Sequence, residues 1–567
     1  MKTPQVQPIF RKIHGGLKRI LSWMCASDIH LMVTSVAFCI LSLCLHWESS
    51  IFPLGGPHDS LRYIGMAETI LKGEWLGEYS HMTLIRSPVY SSILAVNSLI
   101  GWRLHVFQQC IFLVSILLLT AALRSLHVER WKILIICFLC VFHPLTIYCT
   151  NFVVSEAVYV SFATAVMAGC FGILGTYKGS FIRYSFWVVI LSVASALFWH
   201  IRPESVWILP FFAICFGYLL RFAKTTSGAI WFRVSAAVFA PLFAVLFFGH
   251  QLAALNEKHY GIRVTHELAE PNFISAFNWL TRVAPSSIRP HVPVSRDAVE
   301  AAYTVSEHFA LLEPYLSQQK DGHGWTRFGC EWMGICHELA GGWAVWAIRD
   351  AAASIGVYTD AARASQFYGS VAREIRHACE EGKVKCTQNP TGNFLAPPMG
   401  LADIPRILMS SLKVLFMTVT LGDFALDPQE LDRSNPIISE RYEVITHDQK
   451  GQWPEYYGET AEIHADIYRI IQLAGGAIFL MMLTVVLFVR SKAHHLGSLF
   501  HFRQLVVCTS VFILSRMAIL SYVDAMSYHI QVRYLIVLYP ALMVLLGLAL
   551  PSANDIIRIW RRRHGGA

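Results

Sequence analysis

The chain has 567 residues, 54% of them hydrophobic and 15% charged, with formal net charge +8 and a mean hydropathy of +0.46. Soluble domains carry about 25% charged residues, so an ordinary water-soluble enzyme is excluded, as are a disordered chain, a collagen and a coiled coil. What remains is an all-α polytopic membrane protein with about ten or more transmembrane helices and a mostly helical extracytoplasmic domain. Its excess positive charge is expected in loops on one side of the membrane, not in a nucleic-acid patch. The sequence holds no zinc-type CxxC pair, no Walker loop and no GxGxxG followed by an acid.

A membrane span needs roughly 17–25 mostly apolar residues. Ten segments are expected to cross, some with a few flanking residues: 31–47, 104–123, 133–150, 157–176, 184–201, 205–220, 234–249, 470–489, 504–523 and 534–550. Two weaker segments, 87–101 and 407–422, read as re-entrant or interfacial, the second with Lys413 in its middle. Basic residues concentrate in 1–28, 124–132, 178–183, 221–233, 490–503 and 558–563, whereas the short loops 202–204 and 524–533 hold only Arg202 and Arg533. By the positive-inside rule both termini are cytoplasmic, provided that 87–101 does not fully cross. The first apolar run starts late and is too long for a cleavable signal.

This layout divides the chain into a basic cytoplasmic tail (1–28), an amino-terminal membrane module (29–250) with its first outer loop at 48–103, an extracytoplasmic domain (251–468), carboxyl-terminal membrane helices (469–550) and a second basic tail (551–567). In the first loop a turn-rich stretch, Phe52 to Pro57, precedes a helical pattern of Leu61, Ile64, Met66, Ala67, Ile70 and Leu71. Residues 343–380 read as two amphipathic helices broken near 354–359. Residues 387–400 form a loop. Of the 14 cysteines, Cys330, Cys336, Cys379 and Cys386 fall in the outer domain. An oxidising compartment permits two disulfides there, with 330–336 and 379–386 favoured among three pairings.

The orientation gathers the unusual polar residues at one level: Asp59, Asn151, Ser155, Glu156, His200, Arg202, Glu204, Arg516, Arg533 and Tyr534. Charges at membrane depth are costly and usually line a cavity. Asp59 reads either as a helix N-cap or as a general base taking a proton from an acceptor hydroxyl or amine; one carboxylate can do both. Arg202, Arg516 and Arg533 suit an anion clamp, because a guanidinium grips phosphate with a planar fork. The competing reading is interfacial arginines that reach headgroups or pair with an acid such as Glu204. His58, His81, His200 and Glu204 could be drawn together around a divalent metal, but no tight His-x-x-x-His spacing supports one, and hydrogen-bonding roles are favoured. No cofactor is therefore expected. Trp47, Trp75, Trp199 and Trp207 fit an interfacial aromatic belt.

Four stretches resemble the GT-C superfamily of membrane glycosyltransferases, in its protein O-mannosyltransferase and aminoarabinose-transferase branch. They are HDSLRYIGMAETILKGEWLGEYSHMTLIRSPVYSSILAV (58–96), HPLTIYCTNFVVSEAVYVSF (143–162), HIRPESVWILP (200–210) and RYLIVLYPALMVLLGLAL (533–550). The resemblance implies sugar transfer from a polyprenyl-phosphate-linked donor to a lipid, glycan or protein acceptor on the outer face, with inversion, and a bacterial inner membrane as the site. Carried over by position, Asp59 is the base. Arg202, Arg533, Arg86 and Arg516 serve the donor phosphate, with Glu156, Asn151, His58, His200, Glu204 and Tyr534 around the substrates. The chain departs from the pattern in two places. Ser87-Pro88 stands where many members have paired prolines, and Glu68, Glu74 and Glu78 compete for the role of a second acid in the first loop. A flippase of lipid-linked sugars and a non-catalytic envelope assembly protein are the alternatives.

Overall fold

The computed structural model describes residues 22–49, 51, 60–223, 228–283, 289–319, 322–387, 396–397, 399–422, 436–447, 462–477 and 497–550. Residues 1–21, the carboxyl-terminal tail, the catalytic candidate Asp59 and the substrate-binding candidate His58 lie outside the described residues, as do 478–489 of the expected span 470–489. Among the described residues every regular element is helical, with one isolated bridge between Val283 and Cys386.

The amino-terminal part comprises α1 (Asp28–Leu45), α2 (Ser60–Leu71), α3 (Val89–Ile100), α4 (Leu104–Ser125), α5 (Arg130–Val141), α6 (Pro144–Thr150), α7 (Glu156–Thr176) and α8 (Phe181–Ile201). A 3-10 turn, Pro203–Ile208, leads into α9 (Leu209–Ala223), and α10 (Gly228–Tyr260) follows. Among the described residues seven helices are long and apolar enough to cross a membrane, or eight if α5 and α6 count as one span. Those two meet at 45°, so the span expected over 133–150 is bent. Pro144 occupies the first position of α6 and contributes no backbone donor, so the ladder breaks there.

α7 is the axis of the bundle, buried on nearly every face against α4 and α8. Small residues permit the approach, as membrane helices require in the absence of a hydrophobic drive. A Cβ on Gly172 would lie 2.0 Å from the Trp187 ring of α8, and one on Gly175 would lie 2.1 Å from Ser125 Oγ.

The polar domain has its own core, built by α11 (Pro271–Leu280), α12 (Arg296–Val305), α13 (Trp325–Met333), α14 (Trp343–Ser354) and α15 (Ala361–Glu380). The expected break in 343–380 falls between α14 and α15. Asp360 caps α15 by accepting from the Arg363 backbone N–H at 2.7 Å. Disulfides join Cys330 to Cys336 and Cys379 to Cys386, the favoured pairing. α10 carries the chain ten residues beyond the expected boundary at 250 before this domain begins.

Three elements return to the bundle: α16 (Ile404–Thr420), α17 (Pro436–Thr446) and a helix over 462–477. α16 explains Lys413, whose Nζ meets the buried Asp524 at 2.7 Å. The other side of α16 leaves Leu408, Met409, Leu412 and Phe416 exposed, a lipid-facing pattern. The chain closes with α18 (Gly497–Met526), a 3-10 turn at Val532–Leu535 and α19 (Leu538–Ala549). α19 has 12 residues, fewer than a lone crossing needs.

Candidate active site

Four chain breaks meet at one end of the bundle. α7 opens on Glu156 and α8 ends just before Arg202. The following 3-10 turn carries Glu204, and the turn after α18 carries Arg533 and Tyr534. Arg516 reaches the same place from within α18.

These side chains form one network. Arg202 Nη1 lies 2.8 Å from Glu156 Oε1 and donates to Ser155 Oγ at 3.2 Å, while its Nε donates to Glu204. Arg533 Nε lies 3.6 Å from the same Glu156 oxygen, and Arg516 Nη1 lies 3.8 Å from Glu204. Arg516 also donates to the Tyr534 carbonyl at 3.3 Å, and Arg533 donates to the Tyr534 hydroxyl at 3.2 Å. Tyr534 lies under the guanidinium carbons of Arg202 and Arg533 at 5.4 and 5.1 Å. Glu156 is 4% and Arg516 2% exposed, so these charges must be held by one another and by the rings. Three guanidiniums face two carboxylates, leaving one positive charge.

The aromatic wall explains how Arg516 is tolerated inside a span. Its guanidinium lies 5.8 Å from the Tyr159 ring and 5.7 Å from that of Trp207. Trp207 Nε1 donates to the Tyr159 hydroxyl at 2.9 Å, and Trp207 is 4% exposed. It thus belongs to the wall and not to the aromatic belt expected for it.

α2 roofs the network. Ser60 Oγ donates to the Val153 carbonyl at 2.8 Å, three residues before Glu156. Tyr63 packs edge-on against Tyr90, whose hydroxyl donates to Gln108 at 2.8 Å, and Gln108 donates to the Thr150 carbonyl at 2.7 Å. Asp59 precedes Ser60 in the sequence and lies outside the described residues.

The remaining described candidates are His200, Asn151 and Arg86. His200 makes its contact with the Val245 carbonyl of α10 at 3.0 Å. Asn151 is buried at the end of α6, and Arg86 is half-buried in the loop between α2 and α3. His81 faces Asp350 of the polar domain at 3.3 Å. The described members of the metal-ligand set, His81, His200 and Glu204, thus have three separate partners. Among the described residues no group of three His, Cys, Asp or Glu side chains is placed to hold a metal ion.

One residue escaped the sequence reading. Arg62, on the first turn of α2, has Nε and Nη2 buried with no hydrogen-bond partner. Burial pushes its pKa down to about 10, and the Arg349 guanidinium acts in the same direction. Its position three residues after Asp59 was a usable signal, since that spacing is one helical turn.

The polar domain docks on this roof. The Glu267 N–H donates to the Leu84 carbonyl at 2.8 Å, and Tyr79 stacks near Tyr358 with ring centroids 6.1 Å apart. Behind them Arg349, fully buried, pairs with Glu267, which also accepts from the Tyr358 hydroxyl at 2.8 Å. That carboxylate holds the Arg349 pKa above its usual value against the opposing effect of burial.

No family model matches the chain, and neither does any curated protein. Among solved structures, it is similar to the S. cerevisiae protein O-mannosyltransferase Pmt1-Pmt2 complex bound to the sugar donor, with TM-score 0.33 and 13% identity; the match covers 48% of this chain and 39% of that one. It is also similar to ArnT from Cupriavidus metallidurans bound to undecaprenyl phosphate, with TM-score 0.31 and 12% identity over 92% of this chain and 78% of that one. The apo form of that ArnT gives TM-score 0.30 and 12% identity over 91% and 77%. Likeness of this degree assigns no activity.

Proposed function

We propose that this protein is a membrane glycosyltransferase. It moves a sugar from a polyprenyl-phosphate carrier to an acceptor on the outer face, with inversion. The observation that carries the reading is the buried Arg202–Arg516–Arg533 network beneath α2, with its single excess positive charge.

A polyprenyl-phosphate sugar is a phosphodiester with one negative charge. When the bond from the anomeric carbon to the phosphate oxygen breaks, the leaving phosphate carries two. Cations that neutralise the developing charge therefore act more strongly in the transition state than in the ground state. Arg202 and Arg533, already preorganised by Glu156, serve that phosphate, and Arg62 supplies a cation that no carboxylate among the described residues claims. The acceptor oxygen or nitrogen attacks from the opposite face as its proton passes to the Asp59 carboxylate. One bond forms as one breaks, so the anomeric centre inverts. No step calls for a metal or another cofactor.

The test is transfer in reconstituted vesicles with radiolabelled polyprenyl-phosphate sugars and extracted envelope acceptors, wild type beside Asp59→Asn. Transfer by wild type and its loss in the variant are expected. Donor that is bound but never cleaved by wild type rules the reading out in favour of transport or assembly.

A further inference from the structure

We infer that Arg441 is a positioning residue of the site: through Glu68 it fixes the helix that begins immediately after Asp59. The inference rests on the functional reading above, because it gives that helix a task in catalysis.

α17 lies across α2 and α3. From it Arg441 grips Glu68 with a two-pronged fork, Nε to Oε1 at 2.9 Å and Nη2 to Oε2 at 2.7 Å, with Nε also 3.1 Å from Oε2. The two residues are 373 positions apart, so this is a tertiary tie and not a helix-surface pair. α2 makes room for it. Gly65 lies one turn before Glu68, and a Cβ there would stand 3.1 Å from Arg441 Nη2.

The presenting helix is itself fixed. Tyr442 and Ile445 are buried in the main core. At the far end of α17, Ser98 Oγ donates to the Val444 carbonyl at 3.4 Å, and the His447 ring meets the Ser98 carbonyl at 2.9 Å. Arg441 is therefore offered to α2 in one geometry, and a planar fork converts that geometry into a defined axial and rotational setting.

α2 is otherwise held near its start by Ser60 on Val153 and near its end by contacts of the following turn, Trp75 to Asn256 at 2.9 Å. Glu68 lies between them. Arg441 is 40% and Glu68 21% exposed in their side chains, so the pair adds little to global stability. Its effect is on placement. A 1 Å displacement of a catalytic group can cost about a hundredfold in rate. The pair also withdraws Glu68 from the three acids that compete for a second role in the first loop.

The experiment uses the full chain in vesicles, as Arg441→Glu, Glu68→Arg and the double exchange. Two readouts are taken: hydrogen exchange across Ser60–Leu71, and turnover resolved into kcat and donor KM. Each single variant is expected to speed exchange in that segment at least fivefold and to lower kcat at least tenfold. Exchange in α4 and the melting temperature should stay unchanged, and the double exchange should recover both losses. Unchanged kcat beside faster exchange overturns the inference. So does a double variant that recovers neither quantity, or a loss of kcat that accompanies general unfolding. A wild-type protein that transfers no sugar overturns the functional reading instead, and the exchange data then still report whether the pair fixes α2.

Discussion

Replacing Arg202 by Lys separates the fork from the charge. Arg202 now serves Glu156 at 2.8 Å and Ser155 Oγ at 3.2 Å through Nη1, and Glu204 through Nε. A lysine ammonium is a single point and cannot bridge both carboxylates while facing a phosphate. Two charge-assisted hydrogen bonds are at stake, each worth about 1.5–3 kcal/mol. A unit charge about 4 Å from a phosphate contributes about 4 kcal/mol at an effective dielectric of 20. Part of this survives in lysine, and the expected loss of transition-state stabilisation is about 3–4 kcal/mol, or roughly 10²–10³ in rate. The loss should fall on kcat more than on donor KM, because negative charge grows as the carbon–oxygen bond breaks. Folding should largely hold, since Glu156 keeps Arg533 at 3.6 Å. The assay is steady-state transfer in vesicles beside a melting curve in detergent. An Arg202→Lys protein with more than half the wild-type kcat refutes the assigned role, and so does a loss confined to KM.

Asp59→Asn should reduce transfer by about 10²–10⁴ with donor binding retained; binding lost together with turnover would remove the base assignment. Arg349→Met strands Glu267, which is 5% exposed, and should cost about 3–5 kcal/mol, most of it recovered by adding Glu267→Leu. A melting comparison decides this, and failure of the second change to recover stability counts against a charge-burial origin. Replacing Cys379 and Cys386 by Ser releases a loop with sequence separation 7 and should cost the polar domain about 2–3 kcal/mol on the chain-entropy model, read as a lower melting temperature than wild type without reductant, with the Cys330–Cys336 bridge left intact. Burial pushes His266 down to about 4, below the unfolded value of about 6.5, and its Nδ1 has no partner. The stability of the neutral form is thus complete above pH 6.5 and is lost as pH falls towards 4. His266→Leu should flatten the acid limb of the melting profile, and an unchanged limb would place the acid sensitivity elsewhere.

What the sequence revealed of this molecule follows the range of the forces involved. Hydropathy acts over one helix length, so spans such as 104–123 and 157–176 fall within a few residues of α4 and α7. Amphipathic spacing is equally local, and it placed α14 and α15 with their break. The bend within 133–150 was not legible because an averaged window hides one proline, although Pro144 was visible. Lys413 was puzzling in isolation because Asp524, its partner, is 111 positions away.

The site shows the same division. The level of Glu156, Arg202, Glu204, Arg516 and Arg533 followed from topology and charge cost, because a buried charge needs a partner wherever that partner sits. The pairing itself did not. Nothing in the sequence says that Arg202 takes Glu156 and Glu204 together, that Trp207 faces Tyr159, or that Arg441 takes Glu68. These are choices among several acids and rings at one level, made by helix rotation and crossing, and rotation is fixed by close approaches such as Gly172 on Trp187. The consequence is chemical. Turning α7 by one residue would swing Glu156 about 100° away from Arg202 and Arg533 and leave like charges facing one another. The packing of small residues on α7 is therefore part of the electrostatics of the site, and a Gly172→Leu change, more than four turns along the helix from Glu156, should disturb the arginine network as surely as loss of Glu156 itself.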